Sequence, residues 1–387
     1  MLNKTDIVSY SYRGIRTVAA ALYYLRYDLE NAESFNTKRK YISEHCRIDA
    51  DFFRTYKKQW LPWSSSYFLS RSELEVYCHI GGIKSLDYVP WNVWFTSIIP
   101  TLNNRGMSGG YAEKGNYRKL YEIDNEPLSF LRYLNGITYD AFGGLIHNPD
   151  EIFDQKLKEQ NKILTKPAIE SWGGKNVLVF ERDKQGVWKC ANGEVVLSFE
   201  NLVSFYKRNF VIQEFLESHP FFKRFNPTSF NTIRVYAYRS PKDEQIHILH
   251  TLLKVGGKGS MVDNITAGGL FFYILPDGKF LYGLSHDLKK IDAVPDGLGQ
   301  PLSDEPKVPG FDEIKALALK IALKAPFHRL LAIDLNIDAS GTPRLIEINL
   351  SEPGGGVQVF GFPFFGTFTD EVIEFCKSHK KTNFLKI

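Results

Sequence analysis

The stretch Leu331–Leu350, LAIDLNIDASGTPRLIEINL, decides the reading of the chain. Ile333, Leu335 and Ile337 alternate with Asp334, Asn336 and Asp338, the pattern of a half-buried strand. Ile346, Ile348 and Leu350 likewise alternate with Leu345, Glu347 and Asn349, and Ser340-Gly341-Thr342-Pro343 supplies a turn between the two. A hairpin closed there sets Asp334 opposite Glu347, with Asn349 one step along the same face. Like charges placed opposite each other repel, and a divalent cation between them removes the conflict. Hard oxygen donors of this kind suit Mg²⁺, held by one or two carboxylates plus substrate phosphates. The plain alternative is a solvated strand face.

Working outward, Phe311–Ala325 reads as a helix, with Asp312 and Glu313 in its first turn and Ile314, Leu317 and Ile321 on one stripe. Pro227–Tyr238, PTSFNTIRVYAY, reads as a strand that places Arg234 among β-formers, with Thr232 and Tyr236 on its own face. A guanidinium inside a sheet is costly unless it is paired or holds an anion. The sequence offers it a structural partner such as Glu214, or a phosphate near Asp334 and Glu347; the second is expected. Leu249–Gly257 and Leu270–Leu275 are further strands, and Asp277-Gly278 is a hairpin turn. Phe210–Leu216 is an apolar linker strand followed by Glu217. It could offer main-chain groups to a purine edge and the Glu217 carboxylate to ribose hydroxyls. Lys162–Ile169 and Val177–Glu181 are strands joined by a loop with Gly173, Gly174 and Lys175. With Lys166 on the other side, such a loop can lay N–H groups and cations over a polyphosphate, although its spacing is not that of a P-loop.

The N-terminal part is mainly helical: Thr17–Leu25, Thr37–Trp60 and Arg71–Ile83, the last ended by Gly81-Gly82. Tyr88–Leu102, with Pro90 and Pro100, reads as loop with short strands, and Asn103–Gly115 as loop. Glu352–Gly356 reads as a flexible loop, and Thr369–His379 as a last helix before a basic tail.

Bulk properties narrow the class. A length of 387 residues suits two or three domains. A net charge of +4 gives no support to nucleic-acid binding. The scattered Cys46, Cys78, Cys190 and Cys376 suit reduced thiols in the cytoplasm, not a disulfide framework. No apolar run is long enough to span a bilayer. The run Thr17–Leu25 between Arg16 and Arg26 could lie weakly on a membrane surface, but a core helix with basic ends is the simpler reading.

The order of these pieces resembles the ATP-grasp superfamily, and within it the sugar-transfer-associated ATP-grasp group. The resemblance is carried by Gly144-Leu-Ile-His147, Lys166-Pro167, Asn226–Arg234, Val262-Asp-Asn264 with Gly268-Gly269, Ile333-Asp334 and Ile346-Glu-Ile-Asn349. It runs from about Gly144 to Leu350, with weaker echoes in Tyr111–Leu120. It implies an α+β, ATP-grasp fold, two α+β lobes gripping ATP, with a mainly helical N-terminal domain. The expected division is residues 1–110 helical, 111–160 connecting, 161–212 small lobe and 213–387 large lobe.

Carried over by position, the resemblance implies that Lys166 contacts the α- and β-phosphates and that Gly173 and Gly174 close over the phosphates, with Lys175 beside them. Gln213, Glu214 and Leu216 would meet adenine through the backbone, and Glu217 the ribose. Arg234 would bind the γ-phosphate or an acyl-phosphate. Asp334, Glu347 and Asn349 would hold one or two Mg²⁺, and Lys254 and Asn264 would line the acceptor side. The group often shows Asp-Lys-Asn, with a lysine that reaches the nucleotide, where this chain departs to Glu113-Lys114-Gly115-Asn116, so Lys114 is a candidate for that lysine. The implied reaction joins a carboxylate to an amine through an acyl-phosphate. The implied partners are a uronic-acid-type or otherwise small or sugar-linked carboxylate and an amine, in surface-polysaccharide assembly. Gly173-Gly174 and Gly354–Gly356 are the natural lids over such an intermediate. A kinase acting on a sugar hydroxyl and a catalytically inactive nucleotide-binding module are the alternatives.

Overall fold

The computed structural model describes residues 22, 25–26, 28–30, 32–36, 38, 47–169, 176–191, 195–257, 259 and 268–379. Gly173, Gly174, Lys175 and Asn264, with Cys46, most of the first expected helix and the end of the basic tail, lie outside the described residues.

In chain order the strands are β1 (Ser129–Leu134), β2 (Ile137–Tyr139), β3 (Lys162–Pro167), β4 (Leu178–Arg182), β5 (Trp188–Cys190), β6 (Phe210–Glu214), β7 (Thr232–Arg239), β8 (Ile246–Val255), β9 (Leu270–Ile274), β10 (Phe280–Ser285), β11 (Lys290–Ile291), β12 (Leu330–Ile337) and β13 (Pro343–Asn349). They form two sheets, ordered β2-β1-β6-β3-β4-β5 and β11-β10-β9-β8-β7-β12-β13. All the pairings are antiparallel. With helices packed on both sheets, the architecture is α+β, as the resemblance implies.

The smaller sheet buries Phe130, Ile163, Phe180, Phe210 and Ile212 against Leu202 of the helix Phe199–Tyr206. The larger sheet is covered on both faces, because alternate residues of its strands belong to different cores. Ile233, Val235, Leu253, Ile333 and Leu335 pack on the helix Phe311–Leu323. Tyr236, Tyr238, Leu252, Leu330 and Ala332 lie under an aromatic N-terminal layer with Trp60, Tyr77, Tyr88 and Trp94. Arg234 and Asp334 continue this second face. The expected half-buried β12 is therefore buried throughout, Asp334 and Asn336 included, and Asp338 just beyond it is buried too.

The N-terminal layer holds the helices Ala50–Trp60 and Arg71–Gly81. The second ends at Gly82 with φ +65°, where a side chain would be strained. Gly81 itself has no room for a β-carbon, which would lie 2.6 Å from the Cα of Gly361.

Two expected loops are helical. Trp91–Leu102 is a continuous helical run with a wide π turn at Trp94–Ile98. Pro90 precedes its first turn as the N-cap, and Pro100, which has no N–H to donate, sits just after the π turn. Arg105–Tyr111 is a helix despite three glycines, capped by the Asn104 side chain accepting from Gly106 N. The Gly354–Gly356 stretch is not a free lid. Gly355 packs against Trp94, and Gly356–Phe360 forms a short 3₁₀ turn.

Candidate active site

The hairpin β12–β13 sets Asp334 opposite Glu347, as its alternation predicts. The register then shifts, so that Leu335 faces Leu345 and Ile346 is the extra residue of a bulge. On its other side β12 pairs with β7, which places Arg234 directly across from Asp334, and β8 follows with Lys254 beside Thr232. Two pairs of strands distant in sequence, β7–β8 and β12–β13, thus deliver one charged cluster.

Asp334 is its centre. Arg234 donates from Nε to Oδ1 and from Nη2 to Oδ2, both at 2.7 Å. Lys254 Nζ reaches Oδ2 at 3.2 Å, and Asn349 Nδ2 at 3.4 Å. Burial would raise the Asp334 carboxyl, but Arg234 and Lys254 outweigh it and bring the pKa down to about 2. Burial also opposes the Arg234 guanidinium, yet Asp334 holds its pKa well above the ordinary value. Glu214, the structural partner the sequence offered for Arg234, is elsewhere. It accepts from Leu128 N at 2.8 Å and lies 3.9 Å from Arg344.

Lys114 enters from the other side, its Nζ 3.0 Å from Glu347 Oε1 and its backbone N donating to Ala168 O. The departure of its motif has not removed it from the cluster. Lys166, on β3 of the smaller sheet, points to the same place, and among the described residues its side chain makes only a long 3.5 Å hydrogen bond, to the carbonyl of the bulge residue Ile346. Among the described residues it has no carboxylate in ion-pair range. Burial, with repulsion from Lys114, lowers its pKa to about 7.

These groups line a cavity of about 450 Å³ between the two sheets. Lys114, Lys166, Arg234, Lys254, Asp334, Glu347 and Asn349 all border it, as do the linker residues Gln213, Glu214, Leu216 and Glu217. Gln213 donates through Nε2 to Ser129 Oγ at 3.1 Å, while its buried Oε1 has no partner among the described residues. Glu217 pairs with Lys223 at 2.6 Å. Leu164, Val179, Phe271 and Ile348 give apolar walls.

The cluster holds four basic side chains against two carboxylates, so it is built to take up anionic charge. Hard oxygens at Asp334, Glu347 and Asn349 also fit Mg²⁺, which completes its shell with water or phosphate. Among the described residues no group of three or more His, Cys, Asp and Glu could enclose a metal, so any cation there would need such outside ligands. Lining residues that the sequence did not single out include Ser108, Gly109, Ser351 and Glu352. The first two lie in the helix misread as loop, and Glu352 lies three residues beyond Asn349 in a stretch read only for its glycines.

A search of curated proteins finds no match to the chain. Similar solved structures include the ATP-grasp ligase PsnB in complex with a phosphomimetic variant of its minimal precursor, Mg and ADP. It shows 13% identity over 71% of this chain and 61% of that one, with a TM-score of 0.39. D-alanyl-alanine synthetase A from Vibrio cholerae O1 biovar eltor str. N16961 shows 13% identity over 72% of this chain and 67% of that one, with a TM-score of 0.41. L-amino acid ligase from Bacillus licheniformis shows 12% identity over 71% of this chain and 49% of that one, with a TM-score of 0.35. The region shared with PsnB is therefore under two thirds of that ligase's length. The family described as sugar-transfer associated ATP-grasp matches residues 107–362, a span that takes in both sheets and every described member of the charged cluster. The chain belongs to the sugar-transfer-associated ATP-grasp family.

Proposed function

We propose that the protein is an ATP- and Mg²⁺-dependent ligase that joins a carboxylate to an amine through an acyl-phosphate. The observation that carries this reading is the convergence of Lys114, Lys166, Arg234 and Lys254 on Asp334 and Glu347 in one cavity. Phosphoryl transfer needs positioning and charge neutralisation more than covalent help, and this cluster offers both. Asp334, Glu347 and Asn349 would hold Mg²⁺, which when bound neutralises developing phosphate charge. Lys166 and Lys114 would face the polyphosphate, with Gly173, Gly174 and Lys175 above it. Gln213 to Leu216 would face adenine and Glu217 the ribose. Arg234 would shift from Asp334 to the transferring phosphoryl group, and Lys254 and Asn264 would border the acceptor.

In the reaction a carboxylate oxygen attacks the γ-phosphorus and ADP leaves. The amine nitrogen then attacks the acyl carbon, phosphate departs with the bridging oxygen, and the nitrogen releases its proton. We infer a uronic-acid-type sugar as the carboxylate, in surface-polysaccharide assembly, because the family is associated with sugar transfer. A reaction consuming ATP fits the cytoplasm. Among the described residues no helix is long and apolar enough to cross a membrane.

The test is a mass-spectrometric screen of uronic acids against amino acids and amino sugars with MgATP. A product heavier than the acid by the amine minus water, formed with ADP, supports the reading. A phosphorylated sugar would make the protein a kinase, and absence of ADP with every pair would make it a nucleotide-binding module.

A further inference from the structure

Five carboxylates border the cavity: Glu214, Glu217, Asp334, Glu347 and Glu352. Four are engaged. Glu214 accepts from Leu128 N, Glu217 pairs with Lys223, Asp334 with Arg234 and Lys254, and Glu347 with Lys114. Glu352 alone, among the described residues, makes no hydrogen bond or ion pair. It is nevertheless partly buried, and burial raises its carboxyl pKa despite the charge of Arg105. A carboxylate withdrawn from water without a partner is unfavourable until a cation arrives.

Its place in the chain suggests which cation. Glu352 lies three residues beyond Asn349, so their Cα atoms are at most about 11 Å apart. Its loop is held by Gly355 against Trp94 and by the neighbouring Pro353, which is buried. A polyphosphate would be repelled by Glu352, whereas a positively charged co-substrate would be drawn to the cavity beside the phosphates.

We propose that Glu352 is the ammonium-binding residue of the amine subsite, and that the acceptor is a primary amine recognised as its cation. This rests on the ligase reading above for the amine's role, but the binding itself can be measured without turnover.

The experiment is calorimetric titration of the protein saturated with MgADP, parent beside Glu352→Gln. The probes are glucosamine and L-alaninamide, with glucose and L-lactamide as their neutral counterparts. The expected result is that at least one cationic probe binds the parent in preference to its counterpart, and that Glu352→Gln weakens it by about tenfold or more. MgADP affinity should be unchanged, which also shows that the variant is folded. Cationic and neutral probes binding alike, neither cationic probe binding, or equal affinity in the variant would each overturn the proposal. A loss of MgADP affinity in a variant that still melts like the parent would make Glu352 a metal ligand and overturn it too. Failure of the ligase reading shows separately: with MgATP and uronic acids, the parent would form no hydroxamate from hydroxylamine, even though ammonium binding depended on Glu352.

Discussion

Arg234 and Asp334 stand directly opposite each other on β7 and β12 and share two 2.7 Å hydrogen bonds. The Asp334 side chain is 2% exposed and that of Arg234 18%. The carboxylate expected to meet a metal is thus already tied to the guanidinium expected to meet a phosphate. Each group keeps the other charged in a place where neither would be stable alone.

Arg234→Met should therefore destabilise the ligand-free protein as well as impair turnover. Lys254 and Asn349 still reach Asp334, so the expected loss is about 2 kcal/mol, below the range for a fully orphaned buried charge. Urea denaturation of the variant beside the parent measures it. The double variant Arg234→Met/Asp334→Leu should recover part of that loss, and an unchanged midpoint for the single variant would mean that Arg234 serves only the ligand.

Lys166 should make nucleotide binding proton-linked. Its pKa in the free protein is lowered to about 7, chiefly by burial, and a polyphosphate beside it would raise that value. At pH 8 binding should take up close to one proton. Calorimetry with a non-hydrolysable ATP analogue in two buffers of different ionisation enthalpy reads the uptake, and Lys166→Met should abolish it. The stability effect has a definite sign. Between about 7 and the ordinary 10.5 the unfolded chain holds more protons at this lysine, so its contribution to stability rises with pH across that window.

Some of this was legible in the sequence and some was not. That Asp334 and Glu347 share a face follows from the alternation within each strand, which is local information, but the bulge at Ile346 that brings them opposite each other was not legible there. The Arg234–Asp334 pair joins residues 100 positions apart, and nothing in either strand specifies the partner. The strand β12 looked half-exposed because its polar face was judged alone. The aromatic N-terminal layer covers that face at Leu330 and Ala332, the charged cluster takes in Asp334, and Asn336 is hydrogen-bonded to Ser218 and Asn231. Pro90 and Pro100 looked like helix breakers, but one precedes a helix and the other follows a π turn. Glu352 was overlooked because the three glycines after it drew the reading toward flexibility.

Asn103→Ala should loosen the whole hairpin. The Asn103 amide donates to Leu330 O and Leu350 O, both at 2.7 Å, and its oxygen accepts from the N–H of Arg329 and Leu330. These bonds tie the end of the N-terminal layer to the start of β12 and to the residue after Asn349. Deleting the side chain leaves buried backbone groups unpaired, at a cost of about 3 kcal/mol. Chemical denaturation checks the loss, and hydrogen exchange at Leu330 should accelerate.

Glu347→Gln should leave the fold intact and remove turnover. Its side chain is 26% exposed and it forms an ion pair with Lys114, so little packing depends on its charge. ADP release with a productive acid and amine should fall at least about 100-fold, the scale expected when a metal-site charge is lost. A folded variant that releases ADP at a near-normal rate would contradict the metal assignment.

The most direct test of the acyl-phosphate follows oxygen. A uronic acid labelled with ¹⁸O in its carboxylate, incubated with the protein, MgATP and its amine, should yield ADP and inorganic phosphate carrying one ¹⁸O atom, because the attacking oxygen leaves with the phosphate. Release of phosphate without label, or label retained entirely in a phosphorylated sugar, would contradict the account.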